Sequence, residues 1–561
     1  MHLYRSLAVL LLPAVLVSCK PGMVQPGTGD LLSTLATSAG AGGMASMLGA
    51  AVGAGSASGV QNNLASTVAP EKNGIQYIGF AKDFMPVKNA LKQGSLGDLQ
   101  GLYQQRLSIK KNNLFDPSES DLDLLGMTEL ADLYLLEGDS ENAIKSFSII
   151  EKAFADREDE SVVAGKSKSV LSWLGDSVVG SATFSEYDFQ GFEKVLILNL
   201  KSIAYLLDGD RKAYNVARKA IDLQGSLRDE FGNKLKESKN KLDTFEQDIK
   251  QKQVSARQEA VVNTGQNVLG NVVDKAAGFK GVLGMAKNLN KYFISADKKG
   301  SVLPSAYVNP FGDYMNGVVQ EFDSLKNSDL KTNALRSYEK AKALNPSSKV
   351  IKANIKALKK RRPLSSSKRL VHFVVGDGFA PEKKVLLYNV PAATGTMPVR
   401  IPIYESDPLA LAHRISITAV KGKKVYGRMS VVANVDALCL RSQKDRRTED
   451  LLDLSASVAR TFFEKEALKG LGVWGQIAGN LRDKYTEVDT RSWLSLPSSL
   501  LAARLEIPKS VKKVRFIAFD KKFRRLIDKV IDLPEENGFM YARVLGKSLY
   551  VNKSAKLWID G

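Results

Sequence analysis

At Pro363, directly after the basic string Lys359-Lys-Arg-Arg362, the hydrophobic period of this 561-residue chain changes, and that change constrains the fold more than any motif does. Ahead of it, apolar residues recur every three or four positions, the spacing that lays a stripe along a helix. Behind it, Leu370–Val375, Lys384–Tyr388, Val399–Tyr404, Arg414–Val420 and Met429–Val435 read as strands separated by Gly and Pro turns. Lys421-Gly-Lys-Lys424 reads as a hairpin loop. A helix near 447–468 interrupts this pattern, and Leu500–Ile507, Lys512–Asp520, Leu526–Leu533 and Met540–Leu545 resume it. The expected class is α+β: a helical region over 71–362, then a β-rich domain over 363–561 with a helical insertion. A length of 561 residues leaves room for more than one core at about 150 residues per domain.

Within the helical part, Leu130, Ala131, Tyr134, Gly138, Asp139, Ala143, Phe147 and Ile150 keep the spacing of a tetratricopeptide (TPR) hairpin. A small residue lets two helices approach, an aromatic fills the hole beneath, and Gly-Asp makes the turn. Ala204, Tyr205, Gly209 and Asp210 repeat the grammar, although Ala213 arrives one residue early. A third match is Ala334, Tyr338, Ala341 and Pro346, with its first helix near Asn309–Phe322. Any one copy alone reads as a generic amphipathic hairpin; their recurrence predicts a helical-hairpin solenoid over about 90–360. Leu227, Phe231, Leu235, Leu242, Phe245 and Ile249 form a narrow apolar seam suited to packing on the solenoid or on a partner helix. Five glycines from Gly265 to Gly284 predict an irregular insertion near 254–300.

The N-terminal segment has the build of an export signal: Arg5, an apolar run from Leu7, and Leu16-Val-Ser-Cys19 at its end. The run is shorter than the roughly 20 residues a membrane-spanning helix needs. It resembles bacterial lipoprotein signals, which implies that 1–18 are removed and that Cys19 is acylated; a plain secretory signal and an uncleaved anchor are the alternatives. Residues 19–70 are rich in Gly, Ala, Ser and Thr and read as a tether. About 50 such residues reach on the order of 40 Å. Leu31, Leu32, Leu35, Met44, Met47 and Leu48 offer the rival reading of a membrane-associating helix.

Cysteine and histidine counts exclude two chemistries. Besides Cys19 there is only Cys439, so an intramolecular disulfide framework is excluded if Cys19 is acylated. With three histidines in all, a zinc site of Cys and His ligands is excluded too. The net charge of +20 would suit nucleic acid, but an exported protein seldom meets it. Lys356, Lys359, Lys360, Arg361 and Arg362, and Lys521, Lys522, Arg524 and Arg525, are clusters able to attract anionic lipid or a cell-wall polymer, or else to serve as solvated faces.

Asn199–Tyr205 with Gly209-Asp210, Asn309-Pro310 with Asn345-Pro346, and Asp377–Pro381 with Asp489-Thr-Arg-Ser-Trp-Leu-Ser-Leu-Pro497 together resemble a family of poorly characterised bacterial envelope lipoproteins. The resemblance covers roughly 187–517. It implies an envelope lipoprotein with a helical-repeat body and no known catalytic activity, and Lys20 after the acylated cysteine implies the outer membrane in a host with two membranes. Read from the residues, Asp489–Pro497 forms either a structural corner, with Arg491 on a carboxylate and Trp493 against the sheet, or a binding groove. Gly470-Leu-Gly-Val-Trp-Gly475 spells a dinucleotide motif but follows a helix rather than a strand. His372 and His413 lack a nucleophile-elbow string, and Asp436, Asp445, Asp450 and Asp453 carry no sign of converging. The expectation is therefore a lipid-anchored scaffold that binds envelope proteins, without cofactor, metal or catalytic residues. An envelope-polymer-binding regulator of cell-wall enzymes is the second reading, and an envelope hydrolase a distant third.

Overall fold

The structure, a computed structural model, describes residues 75–77, 80–94, 96, 124–163, 187, 189–233, 292–360, 364–392, 395–405, 412–447 and 489–560. Cys19, the tether, residues 254–291 of the insertion expected near 254–300, the helix expected at 447–468 beyond its first residue, and the glycine motif at 470–475 lie outside them; the end of that insertion, 292–300, is a regular helix rather than irregular chain. The described chain is a mixed α and β protein with three sheets.

Its elements run β1 (Ile75–Gln76), α1 (Phe80–Asp83), α2 (Met85–Gln93), α3 (Leu124–Glu137), α4 (Ser140–Val163), α5 (Gly191–Leu207), α6 (213–233), α7 (292–300), α8 (Phe311–Lys326), α9 (Lys331–Leu344) and α10 (Lys349–Lys359). There follow β2 (Lys368–Asp377), β3 (Glu382–Ala392), β4 (Gly395–Glu405), β5 (Arg414–Ala419), β6 (Val425–Arg428), β7 (Ser430–Asn434) and α11 (435–447). The chain closes with β8 (Ser499–Pro508), β9 (Lys513–Phe519), β10 (Arg525–Asp532), β11 (Gly538–Leu545) and β12 (Ser548–Lys553).

The middle layer is a five-stranded sheet in the order β12-β11-β2-β8-β7, with β11 and β2 parallel and the other neighbours antiparallel. After its first residue β2 is buried throughout, so both of its faces must be covered. Strand alternation divides the load. Val371, Phe373 and Val375, with Leu501, Ala503 and Leu505 of β8 and Met540, Ala542 and Val544 of β11, face the four-stranded sheet β10-β9-β5-β6 and pack on Ile417, Phe516 and Ile527. On the opposite face Leu370, Val374, Leu500, Ala502, Phe539 and Tyr541 join one core with the helices. The small third sheet, β1-β3-β4, ties residue 75 to residue 386.

The helices pack as hairpins α3/α4, α5/α6 and α8/α9. In the first two, the residue after the turn glycine, Asp139 or Asp210, takes up backbone N–H groups: Asp139 Oδ1 accepts from Asn142 at 3.1 Å and Asp210 Oδ1 from Lys212 at 2.7 Å. In the third, Gly317 makes room for an aromatic, since a Cβ there would lie 2.6 Å from the Tyr338 ring. These hairpins are not a free-standing stack. In a solenoid each repeat touches only its neighbours; here Tyr134, Phe147, Leu200, Tyr314 and Tyr338 share their core with the sheet. The junction at 362/363 thus marks a change of secondary structure rather than a boundary between two cores.

The last strand accounts for part of that union. A helix ends with carbonyls that lack partners, and β12 with the tail behind it supplies donors to three helix ends in succession. Ser548 Oγ donates to Lys92 O at 2.6 Å and Tyr550 Oη to Leu91 O at 2.5 Å, at the end of α2. Asn552 Nδ2 donates to Leu135 O and Leu136 O, at 2.8 and 3.1 Å, at the end of α3. Ala555 N donates to Leu207 O at 2.7 Å, at the end of α5. The turn glycines of the first two hairpins allow this approach: Gly138 and Gly209 have φ of 85° and 79°, and a Cβ on them would meet Asn552 Oδ1 at 2.6 Å and Lys556 O at 2.4 Å.

Several elements depart from the sequence pattern, among them β1 inside the region expected to be helical and β6 between two expected strands. The strand expected to reach Val435 stops at Asn434, whose Oδ1 accepts from Ala437 N at 3.0 Å and so starts α11 well ahead of residue 447. Strand β12 was not expected at all.

Gly209→Ala should lower unfolding free energy by about 2 kcal/mol or more, combining left-handed strain with a clash on backbone. Gly225→Ala, mid-helix in α6 with nothing within 4 Å of the new Cβ, should raise it by about 0.5–1 kcal/mol. Urea denaturation of both variants checks the pair.

Candidate functional site

The Asp489–Pro497 segment enters the seam between sheet and helices and is held along its length. Asp489 folds the start: its carboxylate accepts from Arg491 N at 2.8 Å, Nε at 3.0 Å and Nη2 at 2.9 Å, while the guanidinium lies 5.6 Å from the centre of the Tyr187 ring. Thr490 Oγ1 accepts from Phe80 N at 2.9 Å, and Arg491 O from Lys383 Nζ at 2.7 Å. Trp493 is 1% exposed, and its indole N–H donates to Ser495 Oγ at 3.0 Å. Leu496 O accepts from Ala380 N at 2.7 Å, Pro497 is buried, and Ser498 N donates to Asp377 O at 3.0 Å. A tryptophan enclosed to this degree has no face left for a ligand.

Beneath the segment, α3 presents Glu129 and Asp132, one turn apart and both buried. Glu129 accepts from Leu494 N at 2.7 Å and from Ser495 N at 3.0 Å. Burial drives its carboxyl up to about 8, and burial raises Asp132 as well. Arg543 of β11 lies fully buried, donating to Gly378 O at 2.9 Å and to Ser495 O. Its room comes from Gly376 on the paired strand, where a Cβ would stand 2.7 Å from Arg543 Cδ. Asp377 accepts from Ala412 N at 2.8 Å and is pushed up by burial to about 7. On α5, Glu193 takes Tyr187 Oη at 3.0 and 2.9 Å and Gln190 N at 2.9 Å, closing a capping box.

A second buried cluster sits further along the same sheet face. Glu321 of α8 accepts from Arg504 Nε at 2.6 Å and Tyr338 Oη at 2.9 Å, and lies 3.1 Å from His372 Nε2. Burial alone would raise Glu321, but Arg504 and then His372 outweigh it and hold the carboxyl at about 2. Burial pulls the His372 imidazole below its usual value.

Both clusters are internal. A surface hollow of about 400 Å³ between the start of α9 and the end of α10, bordered by Lys331, Thr332, Leu335, Leu358, Lys359 and Lys360, reaches none of these carboxyls. Among the described residues no group of three or more His, Cys, Asp and Glu side chains could hold a metal ion.

The other residues singled out from sequence are placed as follows. Ala131, Tyr134, Ala143, Phe147, Ala334, Tyr338 and Ala341 are buried in the helix-facing core, Tyr205 packs at its margin, and Pro346 is exposed beyond α9. His413 is exposed, far from the buried His372 in character. Asp445 pairs with Arg441 at 2.7 Å, and Asp450 and Asp453 fall outside the described residues. Cys439 is buried, with its thiol pushed up by burial. Glu129, Glu193, Glu321, Arg504 and Arg543 went unnoticed in the sequence; the one local signal was a charged residue at an apolar position of a helix or strand.

Compared with models of known protein families, with curated proteins and with solved structures, the chain matches none.

Glu129 is held above its unfolded value of 4.5 by burial, so its share of stability is complete below pH 4.5 and is lost as pH rises through about 8. Asp377 acts in the same direction up to about 7. Thermal stability should therefore fall between pH 5 and 8. Glu129→Gln, which cannot accept from both N–H groups, should be less stable overall with a shallower slope across that window, read from melting temperatures in a pH series. Trp493→Ala should destabilise the chain by about 3–5 kcal/mol, checked by urea titration.

Proposed function

We propose that the chain is a lipid-anchored scaffold of a bacterial cell envelope, acylated at Cys19 and presenting its folded body to other envelope proteins. The observation that carries this is Leu16-Val-Ser-Cys19 at the end of a short apolar run with Arg5 before it. Two or more acyl chains, each gaining about 0.8 kcal/mol per buried CH₂, make a stable anchor. A Gly, Ala and Ser-rich stretch then separates the anchor from the body. The resemblance to envelope lipoproteins over 187–517 supports the same address, including the outer membrane. The hairpins α3/α4, α5/α6 and α8/α9 are read as TPR-like units whose outer surfaces meet the partner. Glu129 and Glu321 fit a scaffold as well, because their oxygens accept hydrogen bonds that join helices to sheet and its flanking segment.

The second reading, attraction to an anionic envelope polymer by a regulator of cell-wall enzymes, is favoured by α10. That helix has no acidic residue, and apart from Ala353 its exposed side chains are Lys349, Lys352, Lys356 and Lys359, which fall on one face.

Cys19→Ser followed by membrane fractionation tests the anchor: the wild type should pellet with membranes, and the variant should move to the soluble fraction. A variant that stays quantitatively membrane-bound overturns the lipoprotein reading. Binding of the Cys19→Ser chain to anionic cell-wall polymer, if it follows the second reading, should weaken sharply between low and physiological salt.

A further inference from the structure

The hairpin joining β9 to β10 is closed around one acid. Asp520 Oδ1 accepts from Lys522 N and Arg524 N, both at 2.8 Å, and Oδ2 from Arg524 Nε at 2.7 Å; Phe523 N donates to Asp520 O at 3.0 Å and Asp520 N to Arg524 O at 2.9 Å. Such a turn places one residue in the left-handed region, where glycine or asparagine is the usual occupant. Here that residue is Phe523, with φ of 58°, the sole non-glycine residue of positive φ among the described residues. Its ring is 65% exposed and stands perpendicular to that of the exposed His413, at 5.9 Å between centres. All five residues of Lys521-Lys-Phe-Arg-Arg525 are exposed. Lys521 and Lys522 have no ion pair among the described residues, whereas Arg524 and Arg525 lean on Asp520 and Asp528 at 2.7 and 2.6 Å.

A phenylalanine in strained backbone and outside the core does little for folding, and an observed outlier of this kind is grounds for a functional inference. We infer that the 520–525 hairpin is a membrane-surface contact, with the Phe523 ring entering the interface of an anionic bilayer and the flanking Lys and Arg side chains meeting lipid phosphates. The charge is complementary, and aromatic rings settle at the boundary between headgroups and acyl chains. Shape favours lipid over a protein partner: one ring on a protruding tip cannot bury the roughly 800 Å² per side that a stable protein interface needs. A chain already tied to a bilayer gains from small contacts, because the second engagement is intramolecular. The inference rests on the anchor reading only in placing such a bilayer within reach.

The test uses the full chain carrying Cys19→Ser, so that no acyl group contributes, in flotation with phosphatidylcholine vesicles and with vesicles containing about 30% phosphatidylglycerol. The chain should float with the anionic vesicles in preference to the neutral ones. Phe523→Gly should cut that binding by about fivefold or more while the melting temperature stays level or rises, since glycine relieves the left-handed strain. Phe523→Trp should shift its emission to shorter wavelength when anionic vesicles are added. Failure to bind anionic vesicles, equal binding to neutral ones, full binding by Phe523→Gly, or an unmoved Trp emission each overturns the inference. Fractionation of Cys19→Ser in cells decides the anchor separately, so the two readings fail independently.

Discussion

Strand β2 has no solvent-facing side, and much of the architecture follows from that constraint. A strand buried on both faces needs a layer above and another below, and the chain supplies a helical layer and a four-stranded sheet. The sheet-facing row, Val371, Phe373 and Val375, lies in an apolar cluster and can pack by shape. The helix-facing row is mixed: His372 and Arg504 stand on paired positions, as do Gly376 and Arg543. Charged groups removed from water must be paired or hydrogen-bonded. The helices therefore bring acids as well as apolar stripes. Glu321 of α8 takes Arg504, and α3 sets Glu129 and Asp132 beneath the segment that Arg543 holds by its Ser495 carbonyl.

The pairing also fixes how the helices are joined to the sheet. Apolar contact alone would let a helix slide or rotate on the sheet at small cost, because it is non-directional. Hydrogen bonds from Leu494 N and Ser495 N to one carboxyl admit a single placement of α3, and the Glu321 cluster does the same for α8. Strand β12 adds a third constraint from the side. Its alternate residues Ser548, Tyr550 and Asn552 donate to helix-end carbonyls, so helices far apart in sequence are aligned by one strand.

Much of this was legible locally, and what was not has a physical cause. Nine strands appear near their expected positions because alternation or an apolar run is a short-range signal. The start of α11 is hidden in sequence because Met429–Val435 has the apolar run of a strand, while the cap that ends it is a single oxygen of Asn434. In β12 the polar half of the alternation looks solvated, and only the fold shows that it meets helix carbonyls. The acid partners lie hundreds of residues apart: Glu129 and Leu494 differ by 365 positions, Glu321 and Arg504 by 183. No window on a single sequence can match them. For the Asp489–Pro497 corner the pairing of Arg491 with a nearby acid was foreseeable, whereas the role of its Leu494 and Ser495 backbone N–H groups in receiving Glu129 was not.

Two acids that occupy equivalent places under one sheet are pushed in opposite directions, and the reason is what each one meets. Glu129 faces neutral backbone N–H groups, which soften but do not reverse the effect of burial. Glu321 faces a guanidinium at 2.6 Å, and that charge more than offsets burial. For Glu321, whose folded value lies below the unfolded one, stability is present above pH 4.5 and is lost as pH falls toward 2. For Glu129 the loss comes on the alkaline side. One end of the helix–sheet seam is thus weakened by acid and the other by base. The seam is tightest at mildly acidic pH, where Glu129 keeps its proton and Glu321 has given its own up.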